Sequence, residues 1–177
     1  DVAVISLGSI QSCLSVKFSG SNIDHAIALY LKKTHNLAIG DRTAEKIKIK
    51  IGSAIPVDES LELVVKGRDY ISGLPRSIKL NTNEIVTAID GELRQVIDTI
   101  KIVLQDTLPE LASDIIDTGI VLTGGGSQLR NLPELVRRRT GVRCVLAEDP
   151  SLAVIRGIGT ALNHLEQYNR ALISKPF

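Results

Sequence analysis

The sequence predicts a mixed α/β domain that carries a smaller inserted region. Short apolar segments alternate with helical patterns toward the end of the chain, as at residues 119–123 and 142–146, each of which precedes a helix signal. This alternation is typical of parallel-sheet units. Residues 22–80 differ, because they combine helical patterns with several short strands and therefore indicate an insertion into the larger domain.

The bulk composition indicates an ordinary globular protein. The chain has 177 residues, of which 44% are hydrophobic and 23% charged, and a formal net charge of +1. A net charge so close to zero gives no overall electrostatic attraction to nucleic acid or to an anionic membrane. No apolar run approaches the roughly 20 residues that span a bilayer. Two distant cysteines argue against a disulfide framework or a metal site and favour a reducing cytoplasm. Because methionine is absent and the chain opens at Asp1, we expect additional sequence upstream.

The first elements are a hairpin and an amphipathic helix. Residues 2–7 are apolar and β-branched, residues 10–18 alternate in polarity, and Gly8 and Ser9 can turn the chain between them. A helical stripe follows after residue 22 and is expected to end between residues 36 and 40. It consists of Ile23, Ala26, Ile27, Tyr30 and Leu31.

Residues 41–54 are ambiguous between strand and helix. The run 46–51 alternates strictly, which taken alone favours a strand. As a helix, the same segment would place Ala44, Ile47, Ile51 and Ala54 on one face. Periodicity does not decide between the two.

The clearest element is a long helix in the middle of the chain. Two strands, at residues 60–66 and 76–80, precede it. Asn81 is a possible N-cap, and Glu84 lies three residues further on, as in a capping box. Apolar residues then keep helical spacing for about six turns, over residues 85–104. Pro109 begins a shorter helix, and Asp149 followed by Pro150 predicts the cap and first position of a last helix.

A run of three glycines is the best candidate for a binding site. Gly124, Gly125 and Gly126 follow the apolar strand at residues 119–123 and precede a helical pattern. Glycines let the backbone approach a ligand closely, and a helix N-terminus supplies free N–H groups. Such turns lie at the carboxyl ends of strands, where α/β proteins bind ligands. The structural alternative is a tight strand-to-helix turn, since neither a P-loop nor a G-x-G-x-x-G pattern is present.

Other polar groups carry weaker signals. Glu45 and Lys48 are i, i+3 neighbours on a helix and could contact a ligand's hydroxyl groups, although such pairs are usually surface charges. The arginines at 137–139 and Arg143 favour a solvated helix face, and no aromatic residues interleave with them, so nucleic-acid binding is not expected. The three histidines are scattered. We therefore predict no catalytic residue and no metal ligand in this chain.

Several segments together resemble the MreB family of bacterial actins. They are GDRTAEKIKIKIGSA (40–54), PELASDIIDTGIVLTGGGSQLRNL (109–132), AEDPSLAVIRGIGTAL (147–162) and the opening DVAVISLGSI. They occur in the family's order, and the resemblance covers residues 1 to about 165. It implies the second half of an actin-like (ribonuclease-H-like) fold. Residues 1–20 with 81–177 would form subdomain IIA, and residues 21–80 the inserted α+β subdomain IIB. Residues 43–54 would then be a helix.

The resemblance also implies a nucleotide site. The intact protein would bind ATP with Mg²⁺, and this chain would supply the adenosine side of the cleft. Gly124, Gly125, Gly126 and Ser127 would pass along the nucleotide, and Glu45 and Lys48 would approach the ribose and adenine. The family's two phosphate motifs and its metal-coordinating residues would lie outside this chain. We therefore expect the intact protein to be a slow ATPase and this fragment alone to be inactive.

Partners and location follow from the same resemblance. The family self-associates into filaments in the cytoplasm at the inner membrane, where it organises wall-synthesis proteins to maintain rod shape. Membrane contact would come through the half that is missing here. Two alternatives remain at this stage. One is another ATPase of the same superfamily, such as a chaperone or sugar kinase domain. The other is a non-catalytic interaction scaffold of the same fold.

Overall fold

The computed structural model describes residues 1–168, and the sequence-based expectations for residues 169–177 lie outside it. The strands are β1 (Val2–Ser6), β2 (Ser9–Leu14), β3 (Leu37–Ala38), β4 (Glu62–Asp69), β5 (Pro75–Asn81), β6 (Ile120–Leu122) and β7 (Cys144–Leu146). The helices are α1 (Gly20–His35), α2 (Asp41–Ile51), α3 (Thr82–Gln105), α4 (Pro109–Thr118), α5 (Leu132–Thr140), α6 (Ala153–Asn163) and α7 (Leu165–Tyr168). Two 3₁₀ turns span Gly125–Gln128 and Pro150–Leu152. Within residues 1–168, every helix is too short or too polar to cross a bilayer.

Helix α3 is the central support of the molecule. The Asn81 side chain accepts the Glu84 backbone N–H at 3.0 Å, and the Glu84 carboxylate accepts the Asn81 N–H at 3.0 Å. The capping box predicted from the sequence is thus confirmed. With 24 residues, the helix is about 36 Å long. It packs on α1, α5 and β1, and it therefore joins the elements that come before it in the chain to those that follow.

The main core lies where α1 and α2 cover the β3-β4-β5 sheet and the first half of α3. The spacing of the apolar residues in α1 brings Ile23, Ile27 and Leu31 to one buried face, as the sequence predicts. Leu93 in α3 and Leu132 at the start of α5 join the same cluster. This core therefore extends across the predicted boundary between residues 21–80 and the rest of the chain.

Helix α2 resolves the ambiguous segment. Ala44, Ile47 and Ile51 are buried, whereas Ile49 is 72% exposed. A strand would have placed Ile47, Ile49 and Ile51 on one face. The strand reading from alternation alone is wrong, and the helix implied by the family resemblance is confirmed.

The strands form three small sheets. β1 and β2 are an antiparallel hairpin, β3, β4 and β5 form an antiparallel sheet, and β6 and β7 are parallel, as the alternation of strands and helices predicts. A mainly apolar cavity of about 740 Å³ lies between β1 and β6 over α3. Gly20 at the start of α1, and Gly126 and Ser127 after β6, also line this cavity.

Candidate functional site

The glycine run forms a tight turn whose position is held by hydrogen bonds. Gly124 has φ 84° and ψ 162°, a conformation that strongly favours glycine. Its N–H donates to the Pro150 carbonyl at 2.8 Å, and its own carbonyl accepts the buried Ser127 hydroxyl at 2.7 Å. The first bond ties the turn to the segment after β7, and the second joins two residues within the turn. Ser127 therefore has a structural role within the turn.

The outer part of the turn is open. A Cβ atom added at Gly125 or at Gly126 would meet no other atom within 4 Å, and both residues are exposed. Since the backbone there is not covered by the protein's own side chains, a ligand can approach it closely. The element that follows is a 3₁₀ turn of four residues, and α5 begins only at Leu132. The helix expected after the glycines is therefore α5, which starts only at Leu132, and the free N–H groups next to the glycines are those of the 3₁₀ turn.

The segment after β7 also differs from the sequence prediction. Asp149 was expected to cap a helix that starts at Pro150, yet its side chain caps nothing and instead accepts a hydrogen bond from Arg156 at 2.5 Å. Pro150 begins a short 3₁₀ turn. The Pro150 carbonyl accepts a hydrogen bond from the Gly124 N–H. The Asp149 carboxylate is thus bound to Arg156, and Asp149 itself has φ 45°, in the left-handed region.

The C-terminal end of α2 is fastened beside the glycine turn. The Ala54 N–H donates to the Arg130 carbonyl at 2.8 Å, and the Asn131 side-chain amide donates to the Ser53 hydroxyl at 3.0 Å. Gly52 packs so closely on Leu129 that an added Cβ would lie 3.2 Å from its side chain. These contacts fix the distance between α2, which carries Glu45 and Lys48, and the turn that carries the glycines.

Lys48 and Glu45 have different environments, although they lie on one helix. Glu45 is exposed. The Lys48 ammonium lies 3.0 Å from Asp24 Oδ2, which accepts its hydrogen bond, 2.9 Å from Oδ1, and 3.1 Å from the Gly20 carbonyl. The pairing with Asp24 was not predicted, because no short-range pattern connects residues 24 positions apart. Lys48 therefore connects α2 to the first turn of α1.

The structure brings only some of the predicted site residues to the cavity over α3. Gly126 and Ser127 line the cavity over α3, and so does Gly20, whose carbonyl binds Lys48. Glu45 lies one turn earlier on α2 and faces solvent. The arrangement can hold a ligand between an open backbone turn and the α1–α2 junction.

Replacing Lys48 with methionine would keep the apolar stem and remove the ammonium group from Asp24. We expect the free energy of unfolding to fall by about 2 kcal/mol, because the largely buried Asp24 side chain would lose its ion-pair partner. Urea denaturation measures the change. The double variant Lys48→Met/Asp24→Asn should recover part of the loss. Lys46→Met, on an exposed position of the same helix, is the control, and equal stability of the two single variants would contradict the pairing.

Two arginines of the basic cluster on α5 are paired with a glutamate of the same helix. Arg137 and Arg138 both donate to Glu134, at 2.8 and 2.7 Å. These hydrogen bonds, Arg137 first, lower the pKa of Glu134 to about 2. The pattern agrees with the solvated helix face expected from the sequence. Within residues 1–168, no group of three or more His, Cys, Asp or Glu side chains is arranged to hold a metal ion.

Comparison with known proteins identifies the family. The family model described as MreB/Mbl protein matches residues 1–170. The cell shape-determining protein MreB of Escherichia coli (strain K12) is 43% identical over 175 residues, which cover 99% of this chain and 50% of that protein. The cell shape-determining protein Mbl of Bacillus subtilis (strain 168) is 38% identical, with coverage of 98% and 52%. The chain thus spans about half the length of these curated relatives.

Solved structures agree with this result. MreB5 of Spiroplasma citri bound to ADP superimposes with a TM-score of 0.89 at 32% identity, covering 97% of this chain and 52% of that one. The MamK filament matches with a TM-score of 0.69 at 21% identity over 90% of this chain and 48% of that one, a likeness that shows the fold alone. The chain belongs to the MreB/Mbl family and has the actin-like fold of that family's second half.

Proposed function

We propose that the intact protein is a nucleotide-binding, filament-forming actin homologue that determines cell shape, and that this chain supplies the adenosine side of its cleft. The observation that carries the proposal is the open backbone at Gly125 and Gly126, held beside α2 by hydrogen bonds. The relative MreB5 has been solved with ADP and with AMPPNP, which supports a nucleotide as the ligand.

Each predicted residue has a distinct role in this proposal. The backbone of Gly124, Gly125 and Gly126 lies along the nucleotide, and Ser127 keeps that turn in place through its bond to Gly124. Glu45, which is exposed, accepts hydrogen bonds from ribose hydroxyl groups. Lys48 borders the adenine side, and its bond to Gly20 orients the start of α1.

The remainder of the site belongs to the other half of the protein. We propose that the residues binding the phosphates and Mg²⁺ lie there, so that the intact protein hydrolyses ATP slowly and this fragment alone does not. We retain the division into subdomain IIA (1–20 and 81–177) and subdomain IIB (21–80) as a proposal. Location at the cytoplasmic side of the inner membrane, membrane contact through the other half and work with wall-synthesis proteins belong to the same proposal.

The test is Mg²⁺-dependent ATP binding by the intact protein, measured by calorimetry, with Gly125→Asp as the variant. We expect the affinity to fall at least about tenfold, or 1.4 kcal/mol, because a carboxylate would occupy the ligand's space and repel its phosphates. Since a Cβ at Gly125 meets no neighbour, the substitution should leave the fold intact.

Gly91→Asp is the matched control, because Gly91 is exposed on α3 and its added Cβ also meets nothing within 4 Å. It should bind ATP as the unmodified protein does. Unchanged binding by a folded Gly125→Asp variant would remove the glycine turn from the nucleotide site. Failure of the unmodified intact protein to bind ATP would favour a scaffold that has lost its ligand.

A further inference from the structure

Asp24 is an acidic side chain close to the region proposed for an anionic nucleotide. It lies in α1, four residues after Gly20, whose backbone lines the cavity over α3 together with Gly126. Its side chain is only 13% exposed. A carboxylate in this region weakens the binding of a polyanion by charge repulsion, so its position needs a separate explanation.

The Asp24 carboxylate interacts with a single partner. Its Oδ2 atom accepts a hydrogen bond from the Lys48 ammonium at 3.0 Å. Its Oδ1 atom lies 2.9 Å from the same nitrogen, is buried and, within residues 1–168, accepts no hydrogen bond. The cap of α1 is formed by other residues, Ser19 and Asn22. In the described part of the chain, the Asp24 side chain therefore acts on Lys48.

The Lys48 ammonium is held at two points. Besides its bond to Asp24, it donates to the Gly20 carbonyl at 3.1 Å, and the Lys48 side chain is 16% exposed. These two hydrogen bonds leave one of the three ammonium N–H groups for a ligand. A Cβ added at Gly20 would lie 3.2 Å from the Lys48 nitrogen, so glycine at this position lets the ammonium approach the backbone closely.

Stability alone does not explain this ion pair. Helices α1 and α2 already pack through a common apolar core, in which Ile27 and Ile47 have no solvent exposure. The cost of removing two charges from water offsets most of their attraction, so a buried pair stabilises a protein little more than apolar side chains of similar size. The pair does, however, give the ammonium a fixed place at the junction of α1 and α2.

We propose that Asp24 is a positioning residue of the nucleotide site, which holds the Lys48 ammonium against the Gly20 carbonyl so that the remaining N–H meets an acceptor atom of the nucleoside. The inference rests on the proposed function and adds Asp24 and Gly20 to the residues that set nucleotide affinity. Lys48 contacts the nucleotide, and Asp24 acts through it. Without Asp24 the lysine side chain is free to move, and binding then includes the entropic cost of ordering it.

The first test is the affinity of the intact protein for ATP with Mg²⁺, measured by calorimetry at a temperature where thermal unfolding shows every variant to be folded. We expect Asp24→Asn to weaken binding about threefold to tenfold, through the loss of a hydrogen bond between charged groups. Removal of a negative charge by itself strengthens the binding of an anion, so the direction of the change separates positioning from charge. Asp90→Asn, which breaks a more exposed ion pair on α3, is the matched control and should bind ATP as the unmodified protein does.

Gly20→Ala disturbs the same contact without changing any charge. Its methyl group would displace the end of a flexible side chain, so stability should change little while ATP binding weakens about threefold to tenfold. Gly91→Ala, where the added Cβ meets nothing within 4 Å, is the control and should bind normally. In a Lys48→Met background, neither Asp24→Asn nor Gly20→Ala should weaken binding further, because both act through the ammonium.

Unchanged or tighter ATP binding by the folded Asp24→Asn variant would overturn the positioning role. An effect of Gly20→Ala that persists in the Lys48→Met background would also overturn it, because the methyl group would then contact the nucleotide itself. Full affinity of Lys48→Met would remove Lys48 from the nucleotide, whereas weak binding by Gly125→Asp would leave the proposed function standing. An unmodified protein that does not bind ATP would refute the proposed function and this inference with it.

Discussion

Replacing Ile47 with alanine is expected to lower the free energy of unfolding by about 3–4 kcal/mol. Ile47 has no solvent exposure and lies on the buried face of α2, within the core shared with α1 and α3. Removing three carbon atoms there loses the favourable free energy of burying them, and it also leaves a cavity. Helix α2 cannot move to close this cavity, because its end is fastened to the segment after the glycine turn. Urea denaturation of the protein measures the change.

Ile49→Ala provides a control of identical chemistry two residues away. Its side chain is 72% exposed, so we expect a loss below about 0.5 kcal/mol. Comparing the two variants also distinguishes a helix from a strand at this segment. A strand would bury both side chains on one face, and similar losses at positions 47 and 49 would contradict the helix.

Replacing Gly52 with alanine should cost about 3 kcal/mol, which is large for the addition of a single methyl group. An added Cβ would lie 2.3 Å from the Lys48 carbonyl oxygen, and 3.2 Å from a Leu129 methyl group. The first atom is backbone and cannot move without disturbing the end of α2. We therefore expect α2 to shift relative to the glycine turn, so that the nucleotide affinity proposed for the intact protein should fall together with stability.

Gly91→Ala is the matched control for Gly52→Ala. Gly91 lies within α3, is exposed, and its added Cβ meets no atom within 4 Å. Alanine there should stabilise the protein by about 0.5–1 kcal/mol through helix propensity. Thermal unfolding of both variants tests the argument, which fails if Gly52→Ala is tolerated as well as Gly91→Ala.

The elements predicted best from the sequence are those whose signals are local. The capping box of Asn81 and Glu84 and the long apolar stripe after it identified α3, because a cap and its partner lie within four residues. Gly141 ends α5 with φ 77° in the left-handed region, a stop signal that glycine gives locally. The same local reasoning failed at Asp149, whose side chain accepts a hydrogen bond from Arg156 and caps no helix.

The candidate site likewise has a part that the sequence predicted and a part that only the structure showed. The three glycines were visible as a motif, and the resemblance to the family added Glu45 and Lys48. The sequence did not show that Asp24 and Gly20 would hold the Lys48 ammonium, or that Ser53 and Asn131, which are 78 positions apart, would join α2 to the turn. These contacts depend on how α1, α2 and α5 pack around α3.

The sequence by itself determined the family, through the resemblance of several segments, together with most of the helices and strands and the place of the glycine turn after β6. The predicted elements follow from periodicity and capping residues, which act over a few neighbouring residues. Only the tertiary structure decided that residues 41–51 form a helix on physical grounds, because burial selects Ile47 over Ile49. It also decided that Lys48 is paired with Asp24 and that Asn131 bonds Ser53, since both contacts depend on distances set by the packing of separate elements.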